Sequence, residues 1–500
     1  MRAFSKSKLI ALRQCPKRFW LEVHHPELRS FSAHSEKGFQ TGYTVGDMAQ
    51  KIYDPFGTGV EIDVEVLGFQ GAFARTSDLM KQAQPIFEAG FSSGGALAFA
   101  DIMLPVQSDG RLGWRMIEVK SSTSVKHYHR DDAAIQAYLA IESGVALTSV
   151  AIAHIDNTWV YSGGGNYQGL LREHDITEEA LGRCTEVEGW IASAQKLAAY
   201  QDEPQILPGK HCNEPFSCAF LSYCRRNEVQ SEFPLQWLPN FRQSKIDQLA
   251  GLGVVDLSEI ADSQLNDRQR RVKKHTLENS IYFDEEGASR DLEGYQLPIQ
   301  FLVFEIIQFA IPIWAGTRPY QMIPFQFSLH QLCEDGCLLH REFLDVSGGD
   351  PSLSFIQSLI ENCCENQEPI FVYNQGFEKA RICELAVRFP YYKEALDAIN
   401  HRIVDLLPVS RNRYYHPSQE GSWSIKAVLP AAVPELKYSD LDGVQDGGMA
   451  MEGFSEAIHP STERERKEQL RQQLLAYCKL DTYAMVRLWQ IFSGRGDLTL

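Results

Sequence analysis

The sequence predicts an α/β protein with two structured halves joined by a small helical hairpin region, and three observations predict it. Two apolar strand-like runs, Ala98–Leu104 and Met116–Lys120, are followed by a helical stretch from Asp132. From about residue 295 apolar strands again alternate with helices, the pattern of a helix-covered sheet. Between the halves lie a helix, a Gly251-x-Gly253 turn and a second helix capped near Asp256 or Ser258. The expected domains are 1–230, 231–292 and 293–500.

Composition bounds the function. A chain of 500 residues with 44% apolar and 11% aromatic content has real cores rather than disorder. No stretch approaches the roughly 18 apolar residues of a membrane span. The opening Met1-Arg2-Ala3-Phe4 leads into no apolar signal-peptide core. A cytoplasmic protein with no membrane partner is expected. A formal charge of −17 argues against broad electrostatic binding of nucleic acid. One basic strip, Asp267–His275, remains, and it fits a local DNA contact or a solvated helix face equally well.

In the first half, Asp101 lies on one apolar strand, and Glu118 and Lys120 lie one pleat apart on the next, sharing a face. Paired carboxylates hold hard divalent cations through oxygen. Such a cation polarises a phosphate and acidifies an attacking water. A lysine beside them orients that water or neutralises developing charge. Taken alone, the same three residues also fit solvated charges at strand ends. Glu88, in Ile86–Ala89, is a neighbouring ligand candidate. Gln136 and Tyr138 follow on the helical stretch that packs against the strands. Cys15 stands before Pro16, and Cys212, Cys218 and Cys224 follow far downstream with five residues between successive members.

The order Cys, Asp, Glu-x-Lys, Gln and Tyr, then three Cys resembles the RecB-like PD-(D/E)XK nucleases. It is closest in kind to their iron–sulfur branch, which includes the CRISPR-associated RecB-like exonucleases and the AddB nuclease domain. The resemblance spans roughly residues 1–228. It implies a restriction-endonuclease-like core in which Asp101 and Glu118, with Glu88 nearby, bind Mg²⁺ or Mn²⁺. It also implies that Lys120 assists the water, while Gln136 and Tyr138 position the substrate. Cys15, Cys212, Cys218 and Cys224 would hold a [4Fe–4S] cluster, with Zn²⁺ as the alternative. The remaining cysteines, Cys184, Cys333, Cys337, Cys363, Cys364, Cys383 and Cys478, read as core residues or incidental thiols. Cys333 and Cys337 flank a hairpin turn with no second pair nearby.

The middle region, Ile246–Ile260, is similar to helix-hairpin-helix modules, whose turn amides approach a DNA phosphate. An ordinary linking αα-hairpin is the other reading.

In the last part, strands are expected at Gln300–Ile306, Pro324–His330, Leu338–Leu344 and Pro369–Tyr373, and a helix over Pro351–Cys364. Ser439–Gly453 reads as a loop, and Glu463 opens the last long helix. Three groups of polar residues recur along this half. Val303-Phe304-Glu305 lies on the first strand. Asn374 and Glu378 follow a buried strand, with Asp405 beyond. Tyr477 and Asp481 stand at i and i+4 on the final helix, sharing a face.

This half, roughly 296–494, resembles the ribonuclease-H-like DEDD exonucleases of the DnaQ type. It matches best an uncharacterised prokaryotic group that fuses this domain to a RecB-like nuclease. The resemblance implies that Tyr477 aligns a water and Asp481 binds a cation. The segment Gly421–Pro430 would add polar groups near the substrate. The first motif is broken, because Val303 stands where the family has an aspartate that bridges both metals. Glu305, Asn374, Glu378, Asp405, Tyr477 and Asp481 therefore form a degenerate second site. The expected function is a nuclease that hydrolyses DNA through the N-terminal site, on single strands or ends, in phage defence or repair beside a helicase or defence partner. The rivals are a 3′–5′ exonuclease working through the C-terminal site and a non-catalytic nucleic-acid scaffold.

Overall fold

The computed structural model describes residues 2–30, 33–108, 110–226, 231–363 and 367–495. The expectation for Cys364 lies outside them. Among the described residues no helix is long and apolar enough to cross a membrane. The chain forms two units of mixed α/β architecture, residues 1–229 with 309–320, and residues 230–308 with 321–500.

The first unit is built on seven strands, β1 (Phe4–Ser5), β2 (Val60–Glu61), β3 (Ile86–Ser93), β4 (Ala96–Ser108), β5 (Arg111–Lys120), β6 (Leu147–Ile155) and β7 (Leu171–Asp175). Their order is β2-β3-β4-β5-β6-β7, and β1 pairs in parallel with the start of β4, Phe4 opposite Ala96. The helices are α1 (Lys6–Gln14), α2 (Pro16–His24), α3 (Ala33–Tyr53), α4 (Val64–Lys81), α5 (His127–Glu142), α6 (Thr177–Gly182), α7 (Cys184–Ala198) and α8 (Leu221–Cys224). β5 and β6 run parallel, so the chain must cross over between them, and α5 makes the crossing. Ala133, Ala134, Ala137 and Ala140 are fully buried. Their small side chains let α5 lie close against the sheet. That approach brings the polar residues of its first turns to the strand ends.

The second unit contains α9 (Gln243–Ala250), α10 (Asp267–Leu277), α11 (Glu285–Leu292), α12 (Ser352–Cys363), α13 (Gly376–Arg388), α14 (Lys393–Arg402), α15 (Leu407–Arg413), α16 (Ile425–Ala432), α17 (Gly447–Ile458) and α18 (Arg464–Ser493). Its strands are β8 (Tyr282–Phe283), β9 (Ile299–Ile307), β10 (Ile323–Leu332), β11 (Leu338–Leu344), β12 (Ile370–Val372), β13 (Ile403–Asp405) and β14 (Tyr414–Tyr415). The main sheet runs β11-β10-β9-β12-β13, antiparallel through β9, β10 and β11 and parallel from β9 to β13. Residues of β9 alternate between two cores. Phe301 packs with Trp489 of α18, while Leu302 and Phe304 pack with Phe355 of α12 and Ile382 of α13. Burial on both faces explains the continuous apolar run.

Two local expectations differ. The helix expected from Asp256 is a turn, and the next α-helix begins at Asp267. The Asp256 carboxylate accepts from the amides of Ser258 (2.8 Å) and Phe233 (3.0 Å) and from the Ser231 hydroxyl, so it ties the turn back to earlier chain. The Asp- and Gly-rich stretch expected as loop through Gly453 becomes helix α17 at Gly447. There the Asp446 side chain accepts from the Met449 amide at 2.8 Å and caps the first turn.

Candidate functional site

The first unit gathers its acidic residues across three neighbouring strands. Phe87 pairs with Ile102 and Ala89 with Ala100, which sets Glu88 against Asp101. Ile102 pairs with Ile117, so the next rung sets Asp101 against Glu118. Glu88 adopts a left-handed backbone, φ 53°, costly for a residue with a side chain. Asp101 Oδ2 accepts from the Val119 amide at 2.7 Å. Glu118 is fully buried, and Gln136 Nε2 donates to its Oε2 at 2.6 Å. Lys120 Nζ lies 2.6 Å from Glu118 Oε1 and 2.6 Å from Asp132 Oδ2.

Burial, and then the Asp101 charge, push the Glu118 carboxyl up to about 8. Burial likewise raises Asp101 and Glu88 above the usual carboxylate range. Asp132 behaves oppositely. Burial opposes its charge, yet Lys120 and Lys6 outweigh it and hold the group well below its ordinary value. Four of the five residues assigned to this site thus meet, and Glu88 joins them. Tyr138 does not. Two positions on from Gln136 it turns away from the strand ends into the core, with Glu188 as its hydrogen-bond partner. The sequence reading missed Lys6 and Asp132. Asp132 carried a signal, since it stands at i−4 from Gln136 on the same helix face.

The four expected cysteines line one small cavity with Lys17, Arg18, Leu21, His211 and Phe220. Cys15 caps the end of α1, and Gln14 Nε2 ties that end to His211 O and Phe216 O, each at 2.7 Å. The Cys218 amide donates to Cys212 O at 2.8 Å, which folds the downstream loop onto itself. Among the described residues, the set of three or more ligand atoms drawn within 4.8 Å of one another is Cys333, Asp335 and Cys337. Neither the four cavity sulfurs nor the first unit's carboxylates bring three ligand atoms that close. Cys333 and Cys337 close the β10–β11 hairpin as expected, with Cys337 exposed.

In the second unit Glu305 of β9, Glu378 of α13 and Asp481 of α18 are buried. Burial and then Asp481 raise Glu305 well above the usual range, and burial lifts Glu378 to about 8. Burial also raises Asp481, to about 6, while Tyr438 and Tyr477 hydroxyls and Lys426 hold it down. Asp405 Oδ1 accepts from the amides of Asn374 (2.9 Å) and Leu407 (3.0 Å). Asn374 is exposed, has φ 76°, and enters this arrangement through its backbone. Lys426, from the polar segment flagged in the sequence, places its ammonium 5.0 Å from the Tyr477 ring centre and 5.4 Å from that of Tyr438. Val303 is half-buried and carries no ligand atom. Tyr438, which the sequence reading did not single out, and Asp446, in the stretch read as loop, also face this cluster.

The basic strip forms α10, and several of its cations are spent within the unit. Arg270 binds Asp267, Lys273 reaches Ile260 O and Asp262 at 2.7 Å each, and Arg271 reaches Asn412 O at 2.7 Å. Residues 300–424 match the family described as a domain of unknown function, DUF2779, a stretch that holds Glu305, Asn374, Glu378 and Asp405 and none of the first unit's site. No curated protein matches the chain.

Proposed function

We propose that the protein is a divalent-cation-dependent nuclease that hydrolyses DNA phosphodiesters at the first unit's site, with a PD-(D/E)XK core of RecB-like kind. The convergence of Glu88, Asp101 and Glu118 on adjacent strands, with Lys120 within 2.6 Å of Glu118, carries this reading. The donor chemistry suits Mg²⁺ or Mn²⁺, and the carboxylates would draw closer round the ion, since no three of them bring oxygens within 4.8 Å of one another. The site's carboxylate oxygens are the hard ligands such ions take, and burial without a cation leaves two of them strained towards protonation. When bound, the ion polarises a phosphate oxygen and lowers the pKa of a water. The chain's own groups do the rest. Gln136 fixes the plane of Glu118 through Oε2. Lys120 holds a water or a phosphate oxygen beside the carboxylates, and Asp132 keeps Lys120 there.

Four cysteines lining one cavity support a [4Fe–4S] cluster, which four thiolates hold, with tetrahedral zinc as the alternative. Lys17 and Arg18 on the wall suit an anionic cluster. The second unit reads as a ribonuclease-H-like, DnaQ-like domain of weak or absent catalysis. Val303 removes the bridging carboxylate, and the Lys426 ammonium faces Glu305 and Asp481 where a cation would sit.

The test is degradation of end-labelled single- and double-stranded DNA in Mn²⁺ by wild type, Glu118→Ala and Asp481→Ala. Loss in Glu118→Ala alone supports the proposal. Loss in Asp481→Ala alone moves the activity to the second unit. Tight DNA binding without cleavage by any of the three supports a scaffold instead.

A further inference from the structure

The first unit's site holds two lysines, and the motif accounts for one. Lys6 opens α1 directly after β1, whose pairing with β4 at Phe4–Ala96 anchors it against the sheet. Its Nζ lies 3.1 Å from Glu118 Oε1 and 3.4 Å from Asp132 Oδ1. Lys120 Nζ lies 2.6 Å from the same Glu118 oxygen and 2.6 Å from the other Asp132 oxygen. Asp132 thus hydrogen-bonds Lys120 through Oδ2 and ion-pairs Lys6 through Oδ1, which has no hydrogen bond, and Glu118 Oε1 is shared between the two lysines. Lys6 remains 22% exposed at its side chain, so it is reachable from solution while tethered to Asp132.

Charge limits what this site accepts. Fully ionised, the four carboxylates Glu88, Asp101, Glu118 and Asp132 exceed the two ammonium groups, Lys6 and Lys120, by two charges, which one divalent cation balances. A second ion would meet the Lys6 ammonium already seated on Glu118 Oε1.

Resting on the nuclease reading above, we infer that this is a one-cation site in which Lys6 supplies the positive charge that a second ion supplies in two-metal nucleases. In the step it serves, a water oxygen bonds to phosphorus and the bond from phosphorus to the leaving oxygen breaks with its electron pair on that oxygen. The water's displaced proton ends on the leaving oxygen, so one water is added in net. Lys6 would turn its ammonium from Glu118 to hydrogen-bond the oxygen where charge develops. Asp132 positions Lys6 and does not touch substrate.

The test uses the full-length protein with Mn²⁺ as the probe. Ions bound are counted by equilibrium dialysis, and single-turnover cleavage of end-labelled DNA is followed in parallel. Wild type should lose one Mn²⁺ per chain in Glu118→Ala. Lys6→Met should bind that ion about tenfold more tightly, because a competing charge is gone. The same variant should cleave about 100-fold more slowly, the usual effect of losing one transition-state donor. Tighter binding with slower cleavage is a signature that a merely structural role does not give. Lys6→Arg, which keeps the charge, should hold wild-type Mn²⁺ affinity and most of the cleavage rate, and it serves should Lys6→Met fail to fold. Two Mn²⁺ lost in Glu118→Ala, unchanged or weaker binding in Lys6→Met, or undiminished cleavage there would each overturn the inference. If wild type cleaves no DNA, the nuclease reading fails, while the ion count and the Lys6→Met affinity still decide the one-cation site.

Discussion

Replacing Asp132 by Asn separates site electrostatics from ordinary stability, because its neighbour Asp131 is an internal control. Asp132 lies 2.6 Å from Lys120 and 3.4 Å from Lys6. At 2.6 Å and an effective dielectric of about 20, the Lys120 pair alone has about 6 kcal/mol of gross attraction. Relieved desolvation and the remaining amide oxygen return about half, leaving a net loss of about 3 kcal/mol, in line with removal of one partner from a buried pair. With a urea dependence of about 3 kcal/mol per molar, the first unit's unfolding midpoint should fall by about 1 M. Asp131 is also buried but faces Arg183 at 2.6 Å and Arg13 at 3.4 Å, away from the acidic cluster. Asp131→Asn should therefore cost a similar amount. The two variants part company in cation binding. Loss of one negative charge beside a dication is worth about a factor of ten, so Asp132→Asn should weaken Mn²⁺ binding about tenfold and Asp131→Asn should leave it unchanged. Urea melts by tryptophan fluorescence and Mn²⁺ dialysis supply both numbers. A destabilisation under about 1 kcal/mol for Asp132→Asn, or equal Mn²⁺ effects in the two variants, would refute the reasoning.

Three further outcomes are expected. Gly421 has φ 76°, and a Cβ there would stand 1.6 Å from Trp237 O, so Gly421→Ala should destabilise the second unit by about 3 kcal/mol or more, whereas Gly253→Ala, with φ 83° and open space, should cost only about 1 kcal/mol in the same urea melts. Burial holds His330 down to about 3 and His340 to about 4. Their unfolded pKa is about 6.5, so below it the unfolded chain binds more protons and each histidine lowers stability as pH falls, towards a limit of about 1.4 kcal/mol per unit; His340→Gln should remove one such contribution between pH 6.5 and 5. Anaerobically purified protein should contain about four irons per chain and lose them in Cys15→Ser; a colourless, iron-free protein with stoichiometric zinc would contradict the cluster.

What could be read from the sequence was whatever is periodic or local. The unbroken run through Phe301 and Leu302 announced a strand buried on both faces, and the two cores it divides are where that run points. Glu118 and Lys120 sit on one strand, so their shared face needed only the pleat. Gln136 reached the site and Tyr138 did not for an equally simple reason. Two residues along a helix turn a side chain through roughly 200°, so both cannot face one carboxylate. Lys6 was illegible because its partner Glu118 is 112 residues away, and nothing local marks a lysine that opens a helix for such a contact. Asp446 was hidden by composition. Aspartate and glycine usually mark loops, but here Asp446 caps a helix and faces Glu305.

The membership of residues 309–320 in the first unit governs how that unit comes into being. Ile311 packs in a cluster with Val45, Ile155 and Leu170, and Tyr320 lies against it. Tyr161 and Thr317 are joined by a backbone hydrogen bond of 2.9 Å. A fragment ending at residue 229 would leave that cluster open to water. During synthesis at about 5–20 residues per second, the first strand waits roughly 15–60 s before the last piece of its own unit leaves the ribosome. In that interval the acidic site is formed by an unfinished body, and chaperone binding or proteolysis of the nascent chain should concentrate there.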